Sequence, residues 1–386
     1  MPKVYIKTFG CQMNFRDSEA LMGLFLEKGY VIVNSAEKAD VILVNTCSVR
    51  GHAEDRALSF LGSLKKISLE PVACSLQCKV VGLIGCMARN RGEEVFKKMP
   101  HVNLICGPSC VDRVPEYIDK IKKEKVRIID LEDRLRNEDF YRAPFRVEPD
   151  SAQVVISTGC SNYCSYCIVP YVRGELRLRE PADIIDEVKR NVDLGIRKIT
   201  LLGQNVNDYN YVINPKSEKR KTIDFIDLLR EVDKIDRVEE VGFVTSHPRN
   251  TSIELFELMA KSQKIKKQLH LPFQSGSNRI LKMMNRGYTR EKYLQLADDY
   301  KKITKGVLGA DVIVGFPGET EEDFLRTKDI LEKVKFNYAY IFKYSPRPHT
   351  KALELEDDVS QKEKERRHKI LLDLQKRISA ICKRER

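Results

Sequence analysis

Three closely spaced cysteines constrain this chain more than any other feature of its sequence. Cys160, Cys164 and Cys167, here called the cysteine triplet, have the spacing C-x3-C-x2-C, and no histidine stands close to them. Thiolates are soft ligands that select zinc, copper or iron–sulfur clusters, and structural zinc sites usually take four protein ligands. Three thiolates on a four-iron cluster leave one iron open to another ligand. The triplet therefore favours an iron–sulfur cluster with an open iron over a set of buried or disulfide-paired cysteines.

An apolar strand leads into the triplet and begins a series of six strand-then-helix units. A loop after a strand is the usual place for a site in an α/β fold. The predicted strands are Gln153–Ser157, Lys198–Leu202, Glu240–Thr245, Gln268–Leu271, Ala310–Val314 and Tyr338–Phe342. The predicted helices are Ala182–Leu194, Ile223–Ile235, Ser252–Lys261, Arg290–Lys302, Glu321–Val334 and Val359–Cys382. Six such units predict a partial (βα)6 TIM barrel over residues 151–386, with its site at the C-terminal ends of the strands.

The first part of the chain also alternates strands and helices. This alternation predicts a Rossmann-like α/β domain, with helices on both faces of a parallel sheet, over residues 1–125. The predicted strands are Val4–Thr8, Val41–Asn45 and Val80–Ile84, and the predicted helices are Asp17–Lys28, Ala53–Lys66, Gly92–Met99 and Val111–Lys123. Residues 126–150 are rich in charge, and we predict a short strand at Val126–Ile129 within an interdomain linker.

Three further cysteines stand just past the ends of the strands predicted in the first domain. They are Cys11, Cys47 and Cys86, here called the upstream trio. Because the carboxyl ends of parallel strands share one edge of a sheet, we expect these thiols to converge. The sequence therefore predicts a second three-cysteine metal site, against the alternative of three unrelated core cysteines. The other cysteines are interpreted as loop or core thiols or receive no role: Cys74, Cys78, Cys106, Cys110 and Cys382.

Small and amide-bearing residues follow several strands of the predicted barrel, where a ligand would bind. Small residues let a backbone approach a ligand, and amides hydrogen-bond a ribose, an amino acid or a base. The segment from Gly315 to Thr320 also reads as a strand-to-helix turn with Thr320 as N-cap, and we expect it to serve both purposes. The candidate ligand-binding residues are Gly203, Gln204, Asn205, Gln274, Ser275, Gly315 and Gly318.

Charge and composition narrow the class of protein. The chain has 386 residues, a length typical of two domains, and its formal net charge of +12 suggests a polyanionic partner. The sequence has no apolar stretch long enough for a transmembrane helix, and its N-terminus lacks the apolar region of a signal peptide. We therefore expect a cytoplasmic protein with reduced thiols, in which the 11 cysteines indicate metal binding or catalysis before disulfides.

These motifs resemble those of the radical SAM enzymes, and with the upstream trio they resemble the methylthiotransferases of the MiaB type. The resemblance extends from Lys3 to about residue 380. Besides the triplet, the motifs that carry it are Gly10-Cys11-Gln12-Met13-Asn14, Asn45-Thr46-Cys47-Ser48-Val49-Arg50 and Gly203-Gln204-Asn205-Val206-Asn207. The Gln-Met-Asn sequence after Cys11 discriminates most sharply among the members of this group.

The resemblance implies an activity and its cofactors. Two [4Fe–4S] clusters are expected, a catalytic one on the cysteine triplet and an auxiliary one on the upstream trio. One S-adenosylmethionine would methylate a sulfur at the auxiliary cluster, and a second would be cleaved reductively to methionine and a 5′-deoxyadenosyl radical. The radical would take hydrogen from C2 of N6-isopentenyladenosine at position 37, in the anticodon loop of tRNA. The methylthio group would then be transferred to that carbon.

The resemblance also implies roles for single residues and partners. Gly203, Gln204 and Asn205 would form part of the S-adenosylmethionine pocket, and the other candidate ligand-binding residues would line the same cavity. Arg173 and Gly174, which follow the triplet, would face the RNA. We expect an electron donor such as flavodoxin, no membrane contact and a monomeric protein. The small RNA-binding TRAM domain of this family is expected to be absent or truncated, because the sequence stops at Arg386.

Two alternatives stay open. A different methylthiotransferase would act on threonylcarbamoyladenosine in tRNA or on an aspartate of a ribosomal protein. The Gln12-Met13-Asn14 sequence argues against both, and the basic charge favours RNA as the substrate. An alternative of another class is a non-catalytic iron–sulfur or RNA-binding remnant, which predicts no 5′-deoxyadenosine when the reduced protein meets S-adenosylmethionine.

Overall fold

The chain forms two compact units. The computed structural model describes residues 1–49, 51–68, 71–72, 75–142, 145–213 and 221–384. Unit 1 comprises residues 1–149 together with 169–175, and unit 2 comprises residues 150–168 together with 176–386. Within the described ranges, no helix combines the length and apolarity needed to cross a membrane.

A parallel sheet of six strands forms the centre of unit 1. The strands of the unit are β1 (Lys3–Phe9), β2 (Val31–Ile32), β3 (Val41–Thr46), β4 (Pro71–Val72), β5 (Ser75–Cys78), β6 (Val80–Gly85), β7 (Leu104–Cys106) and β8 (Ile128–Asp130). The sheet has the order β2-β1-β3-β6-β7-β8, while β4 and β5 form a separate antiparallel pair. Chain order reverses between β1 and β3, and α/β sheets place their ligands beyond the carboxyl ends of strands at such a point.

Helices cover this sheet. They are α1 (Gln12–Glu27), α2 (Gly51–Ser68), α3 (Cys86–Lys98), α4 (Val114–Glu124) and α5 (Val169–Arg173), with 3-10 helices at Pro108–Arg113 and Glu138–Arg142. All residues of β3 and β6 are buried, as expected of central strands covered on both faces. The predicted Rossmann-like arrangement is confirmed. The helices α1 and α3 begin earlier than predicted, at Gln12 and Cys86.

The segment 126–150 differs from the predicted interdomain linker, because residues up to 149 belong to unit 1. In it, β8 pairs in parallel with β7 and forms the last strand of the sheet. Arg127 donates a hydrogen bond to the carbonyl oxygen of Val102 at 3.0 Å. Arg136 forms an ion pair at 2.8 Å with Asp17, whose side chain is fully buried. The charged residues that suggested a solvated linker therefore form hydrogen bonds and ion pairs within unit 1.

Six parallel strands form the frame of unit 2. The strands of this unit are β9 (Ser151–Val155), β10 (Ser157–Thr158), β11 (Arg177–Leu178), β12 (Lys198–Leu202), β13 (Asn210–Ile213), β14 (Lys221–Asp224), β15 (Glu240–Phe243), β16 (Gln268–His270), β17 (Val307–Val314) and β18 (Tyr338–Lys343). Parallel pairing joins β9, β12 and β15, and likewise β16, β17 and β18. A parallel bridge between Val241 and Ile265 connects the two groups. This order confirms the predicted (βα)6 barrel.

The helices of unit 2 alternate with these strands and bury one large apolar core against them. They are α6 (Pro181–Asp193), α7 (Phe225–Asp233), α8 (Ile253–Lys261), α9 (Asn278–Met283), α10 (Arg290–Thr304), α11 (Glu321–Val334) and α12 (Gln361–Arg384), with 3-10 helices at Val206–Asp208, Pro248–Asn250 and Lys351–Glu354. The helix predicted from Ile223 begins at Phe225, because β13 and β14 form an antiparallel pair. Asp224 ends β14 and caps α7 by accepting a hydrogen bond from the backbone N–H of Asp227.

Candidate functional site

The upstream trio lies at the carboxyl edge of the unit 1 sheet. Cys11 follows β1, Cys47 follows β3 and Cys86 follows β6. The thiols of Cys11 and Cys47 are hydrogen-bonded to each other, and both interact electrostatically with Cys86. Cys47 and Cys86 are buried, whereas Cys11 is exposed. The three thiols therefore converge as the sequence predicts, with one side open to solvent.

Helix and backbone dipoles point at this site. Cys11 is the N-cap of α1, and Cys86 is the first residue of α3. The positive end of a helix dipole stabilises a thiolate. The backbone N–H of Val49 donates to the Sγ of Cys47 at 3.3 Å. Backbone N–H groups thus favour the charged forms of Cys11 and Cys47, and Cys86 lies at the positive end of a helix.

Two asparagines of the sequence motifs hold the backbone around the trio. The Sγ of Cys11 donates to Asn14 Oδ1 at 3.2 Å, and Asn14 Nδ2 donates to Asn45 Oδ1 at 2.9 Å. Asn45 Nδ2 donates in turn to the carbonyl oxygen of Asn14 at 2.9 Å. A Cβ on Gly10 would lie 2.7 Å from Asn14 Oδ1, and one on Gly85 would lie 2.3 Å from Asn45 Oδ1. Both glycines are required because any side chain there would displace the asparagines.

The three thiols of the trio differ in pKa because their neighbours and their burial differ. The hydrogen bond with Cys47, aided by the charge of Arg173, lowers the pKa of Cys11 to about 6. The same hydrogen bond and burial raise the pKa of Cys47. Burial raises the pKa of Cys86 although Arg173 opposes it. Neighbouring thiolates repel one another, so all three would ionise together only beside a bound cation that supplies positive charge.

A buried arginine contacts the trio. Arg173, at the end of α5, is 5% exposed, and its Nε donates to Cys86 Sγ at 3.1 Å. Its guanidinium also pairs with Asp17 at 3.3 Å. Asp17 accepts further hydrogen bonds from Arg136 and from the hydroxyl of Tyr141, both at 2.8 Å. The prediction that Arg173 faces the RNA is wrong, because its guanidinium is buried against a thiol and a carboxylate.

The cysteine triplet lies in unit 2 on the loop after the first barrel strand. Tyr163 has φ 45°, a left-handed conformation that turns the chain between the cysteines. Asn285 Nδ2 donates to the carbonyl oxygens of Asn162 and Tyr163 at 3.1 and 3.0 Å. The N–H of Ser165 donates to the carbonyl of Met284 at 3.0 Å. The segment after α9 therefore holds the loop in shape.

Polar side chains also reach the sulfurs of the triplet. Asn162 Nδ2 donates to Cys160 Sγ at 3.5 Å, and the buried Arg286 donates to Cys164 Sγ at 3.4 Å. Burial raises the pKa of Cys160. The N–H of Cys167 donates to the carbonyl of Cys164 at 2.9 Å, which turns the chain between the last two cysteines. Sequence reasoning missed Arg286 because arginine is usually exposed.

Buried polar atoms collect at the C-terminal ends of the barrel strands. Ser157 follows β9, Asn205 follows β12, Ser246 and His247 follow β15, and Gln274 follows β16. Several of their side-chain atoms have no hydrogen-bond partner among the described residues. These atoms are Oδ1 and Nδ2 of Asn205, the hydroxyls of Ser157 and Ser246, His247 Nε2 and Gln274 Oε1. An unsatisfied buried polar group costs about 1–3 kcal/mol. Such a row of groups indicates a site where a ligand supplies the missing hydrogen bonds.

Gly203 and Gln204 lie at the same rim, directly after β12. A Cβ on Gly203 would lie 2.6 Å from the hydroxyl of Ser157, so the glycine brings two strand ends together. Gln204 is half-buried and precedes Asn205. The structure therefore brings these three predicted residues to one place, and their role as cofactor ligands stays a prediction.

Ser275, Gly315 and Gly318 shape turns at other strand ends. Ser275 is fully buried, and its hydroxyl lies 3.4 Å from the hydroxyl of Thr327 in α11. Gly315 has φ 69°, and its N–H donates to a carboxylate oxygen of Glu319 at 2.6 Å. Gly318 has φ 76° in the same turn. Their polar groups are engaged within unit 2, and their predicted contact with a cofactor stays a prediction.

The donor sets fit the implied cofactors. The trio and the triplet each offer three thiols, which are the ligands that iron–sulfur clusters take. Within the described ranges, no group of three or more His, Cys, Asp or Glu is arranged around a single metal ion. On a four-iron cluster each of three thiolates binds a different iron and the fourth iron stays open, so the ligands stand farther apart than around a single ion. The partnerless amide, hydroxyl and imidazole atoms at the rim fit the amino acid and ribose groups of S-adenosylmethionine.

The remaining cysteines have local partners where the structure describes them. Cys106 and Cys110 are fully buried near each other in unit 1. The thiol of Cys110 donates to the carbonyl of Glu132 at 3.3 Å, and that of Cys382 donates to the carbonyl of Lys335 at 3.7 Å. They behave as packing thiols. Cys74 and the side chain of Cys78, predicted as loop or core thiols, lie outside the described residues.

Two family models match separate parts of the chain, and curated proteins align with nearly all of it. The model of the Radical SAM superfamily matches residues 154–331, and that of the uncharacterized protein family UPF0004 matches residues 3–107. The tRNA-2-methylthio-N(6)-dimethylallyladenosine synthase of Aquifex aeolicus is 43% identical, with 99% of this chain and 85% of that protein aligned. The protein of the same name from Pelotomaculum thermopropionicum is 40% identical, with 98% of this chain and 83% of that protein aligned.

Solved structures support the fold. The radical S-adenosylmethionine methyltransferase TsrM from Kitasatospora setae, with cobalamin and a [4Fe-4S] cluster bound, matches with a TM-score of 0.61 at 14% identity over 91% of this chain and 77% of that chain. Identity this low shows the likeness of the fold alone. The curated relatives, together with the two family models, establish the family of the chain. The chain belongs to the radical SAM methylthiotransferases of the MiaB type, the family of the tRNA-2-methylthio-N(6)-dimethylallyladenosine synthases.

Proposed function

We propose that this protein replaces the hydrogen on C2 of N6-isopentenyladenosine (also called N6-dimethylallyladenosine), at position 37 of tRNA, with a methylthio group. The observation that carries the proposal is the presence of two separate three-thiol sites in one chain. An unactivated C–H bond needs a radical formed close to its target, in a site that excludes water. A second site can hold the sulfur to be transferred. Relatives that align over nearly the whole chain are named for this activity.

The proposed cofactors are two [4Fe–4S] clusters and S-adenosylmethionine in two roles. The cysteine triplet would hold one cluster, and the upstream trio would hold the other. When bound, these groups supply the methyl group, the sulfur and the radical chemistry of the reaction. The chain's own contribution is to hold three thiols in place at each site and to direct one buried arginine at a sulfur of each: Arg173 at Cys86 and Arg286 at Cys164.

We assign the partnerless rim atoms to the S-adenosylmethionine pocket. Asn205 and Gln274 offer amide groups to its amino acid and ribose, and Ser246 offers a hydroxyl. His247 accepts the backbone N–H of Arg249 through Nδ1, so the proton of its neutral ring is on Nε2, which is free to donate to a ligand. Gln204 stands beside Asn205 and joins this set.

A tRNA substrate agrees with the formal net charge of +12, because cations at a protein surface attract the phosphate backbone. The target adenosine has to leave its stack before any residue can reach C2. An electron donor such as flavodoxin, a monomeric state and a cytoplasmic location stay predictions.

Mass spectrometry of tRNA nucleosides tests the proposal. The protein is reconstituted anaerobically with iron and sulfide and given S-adenosylmethionine, a reductant and tRNA that carries N6-isopentenyladenosine. We expect 2-methylthio-N6-isopentenyladenosine together with 5′-deoxyadenosine. Matched reactions contain tRNA with threonylcarbamoyladenosine, or ribosomal protein, in place of this substrate. Methylthiolation of either of these alone would identify a different methylthiotransferase, and a lack of 5′-deoxyadenosine would favour the non-catalytic alternative.

A further inference from the structure

A buried group of charges lies beside the upstream trio in unit 1. Arg173 and Arg136 both contact Asp17, whose side chain is fully buried. The side chain of Arg173 is 3% exposed. Two cations share one carboxylate, so this group carries an excess positive charge. The Nε of Arg173 donates to Cys86 Sγ, 3.1 Å away, which places this charge beside a thiol of the trio.

The neighbouring ion pair of Arg16 with Glu19 adds no net charge and leaves this excess in place. Arg16 is also fully buried and donates to the carbonyl oxygen of Tyr141 at 2.9 Å. It lies 3.8 Å from its own acidic partner, Glu19. The surplus cation therefore remains next to the thiols.

The position of Arg173 is fixed by the short segment 169–175. Arg173 is the last residue of α5 and stands six positions after Cys167 in the chain. Gly174 follows with φ 76°, and a Cβ there would lie 2.6 Å from Asp133 Oδ2. The chain passes from unit 2 into unit 1 for these residues and then returns. The segment directly after the triplet loop thus delivers a guanidinium to the upstream trio.

We propose that Arg173 is a positioning residue that raises the reduction potential of the cluster on the upstream trio, and that Asp17 limits this effect. The inference rests on the proposed two-cluster function. A cluster held by three thiolates carries net negative charge, and reduction adds one electron. A buried cation and an N–H···S hydrogen bond both stabilise the reduced form, and the low dielectric of the interior strengthens their effect. Asp17 opposes them because its carboxylate offsets part of the arginine charge.

Two other roles for Arg173 predict different behaviour. A contact with RNA phosphate requires an exposed guanidinium, and this one is buried. A purely structural role as an anchor of α5 predicts that loss of Arg173 lowers stability and leaves the potential unchanged. Only the electrostatic role predicts that Arg173 and Asp17 move the potential in opposite directions.

The test uses the full-length chain with Cys160, Cys164 and Cys167 replaced by alanine, so that only the trio can hold a cluster. Reductive titration followed by electron paramagnetic resonance gives the midpoint potential. We expect Arg173→Met to shift it downward, Arg173→Lys to shift it less, and Asp17→Asn to shift it upward. Arg127→Met is the matched control, because it removes a cation of unit 1 that donates to backbone carbonyls, and we expect no shift.

The outcomes separate this inference from the proposed function. A parent protein that binds no iron contradicts the two-cluster function itself. A parent that binds a cluster, with the same potential in Arg173→Met and Asp17→Asn, overturns only the role of Arg173. If Arg173→Met fails to fold or to load, Asp17→Asn and Arg173→Lys decide, and a downward shift in Asp17→Asn overturns the inference.

Discussion

Asn205 is 4% exposed, and both polar atoms of its side chain lack partners among the described residues. Asn205→Ala should therefore weaken binding of S-adenosylmethionine about 5- to 150-fold, the equivalent of roughly 1–3 kcal/mol of hydrogen bonding. Equilibrium binding to the reconstituted protein measures the change. Asn191→Ala is the matched control, since Asn191 is a buried amide within α6, away from the strand ends in sequence, whose Nδ2 donates to the carbonyl of Glu187. Equal affinity in Asn205→Ala and the unmodified protein would remove Asn205 from the pocket.

His247 predicts a specific response to acid. Burial, aided by the positive charges of Arg286 and Arg249, lowers its pKa from the usual 6.5 to about 2. The unfolded chain takes up a proton below pH 6.5 and the folded chain does not, so stability is full above that pH and falls below it. The loss is at most about 1.4 kcal/mol per pH unit. His247→Asn keeps an acceptor near Nδ1 and should flatten this slope, as measured by denaturant unfolding at pH 7 and 5.5; an equally steep slope would contradict the argument.

Single residues also show the limit of sequence reasoning. The convergence of the upstream trio and the loop position of the triplet were predictable, because strand ends and loop spacing place these cysteines without knowledge of packing. Arg173 and Arg286 were not, since an arginine is exposed by default and only tertiary contacts reveal a buried one. Both guanidinium groups reach a cysteine sulfur. Sequence analysis therefore could not predict the two buried arginines that contact cysteine sulfurs.

Among the elements, α11 depends on the turn that precedes it. Thr320 accepts the N–H of Asp323 at 3.2 Å, and Asp323 accepts the N–H of Thr320 at 3.0 Å, which completes a capping box. The prediction of Thr320 as an N-cap is confirmed. Thr320→Ala should lower the free energy of unfolding by about 1 kcal/mol, whereas Thr320→Ser should keep most of the stabilisation that the cap provides. Urea unfolding measures the change. An equal loss of stability in both variants would show that the hydroxyl of residue 320 does not stabilise the helix.

Gly276 lets the loop after β16 pass against the backbone of α11. A Cβ there would lie 2.2 Å from the carbonyl oxygen of Arg326. Gly276→Ala should destabilise the protein by about 1–3 kcal/mol, because the helix backbone cannot move aside cheaply. Gly62, inside α2, is the matched control, since no atom of the described residues lies within 4 Å of its Cβ position, and Gly62→Ala should stabilise by about 0.5–1 kcal/mol. Thermal unfolding that ranks the two variants in the reverse order would contradict this reading.

Regular elements were predictable where periodicity and core burial agree. The strand Lys198–Leu202 and the helix Glu321–Val334 have the predicted bounds. The antiparallel pair β13–β14 was missed, because its residues are mostly exposed or half-buried and leave no apolar pattern. Short strands that pair with each other outside the core carry little signal in sequence.

At the scale of the whole molecule, the division of the chain was harder to predict than the two folds. The charged segment 126–149 belongs to unit 1, and residues 169–175 return to it from within unit 2. Local sequence does not tell which core a short segment packs against. The proposed role of Arg173 depends on this arrangement, because the segment after the triplet loop carries this residue, which contacts Cys86.

The central claim is that the two three-cysteine sites do different work, and one paired measurement tests it. 5′-Deoxyadenosine and 2-methylthio-N6-isopentenyladenosine are quantified together in anaerobic reactions of the unmodified protein and of two alanine variants. The unmodified protein should hold about eight irons and form both products. Alanine at Cys11, Cys47 and Cys86 should leave about four irons and 5′-deoxyadenosine without the methylthio product. Alanine at the cysteine triplet should abolish both. Methylthio product from the variant that lacks the upstream trio would contradict the account.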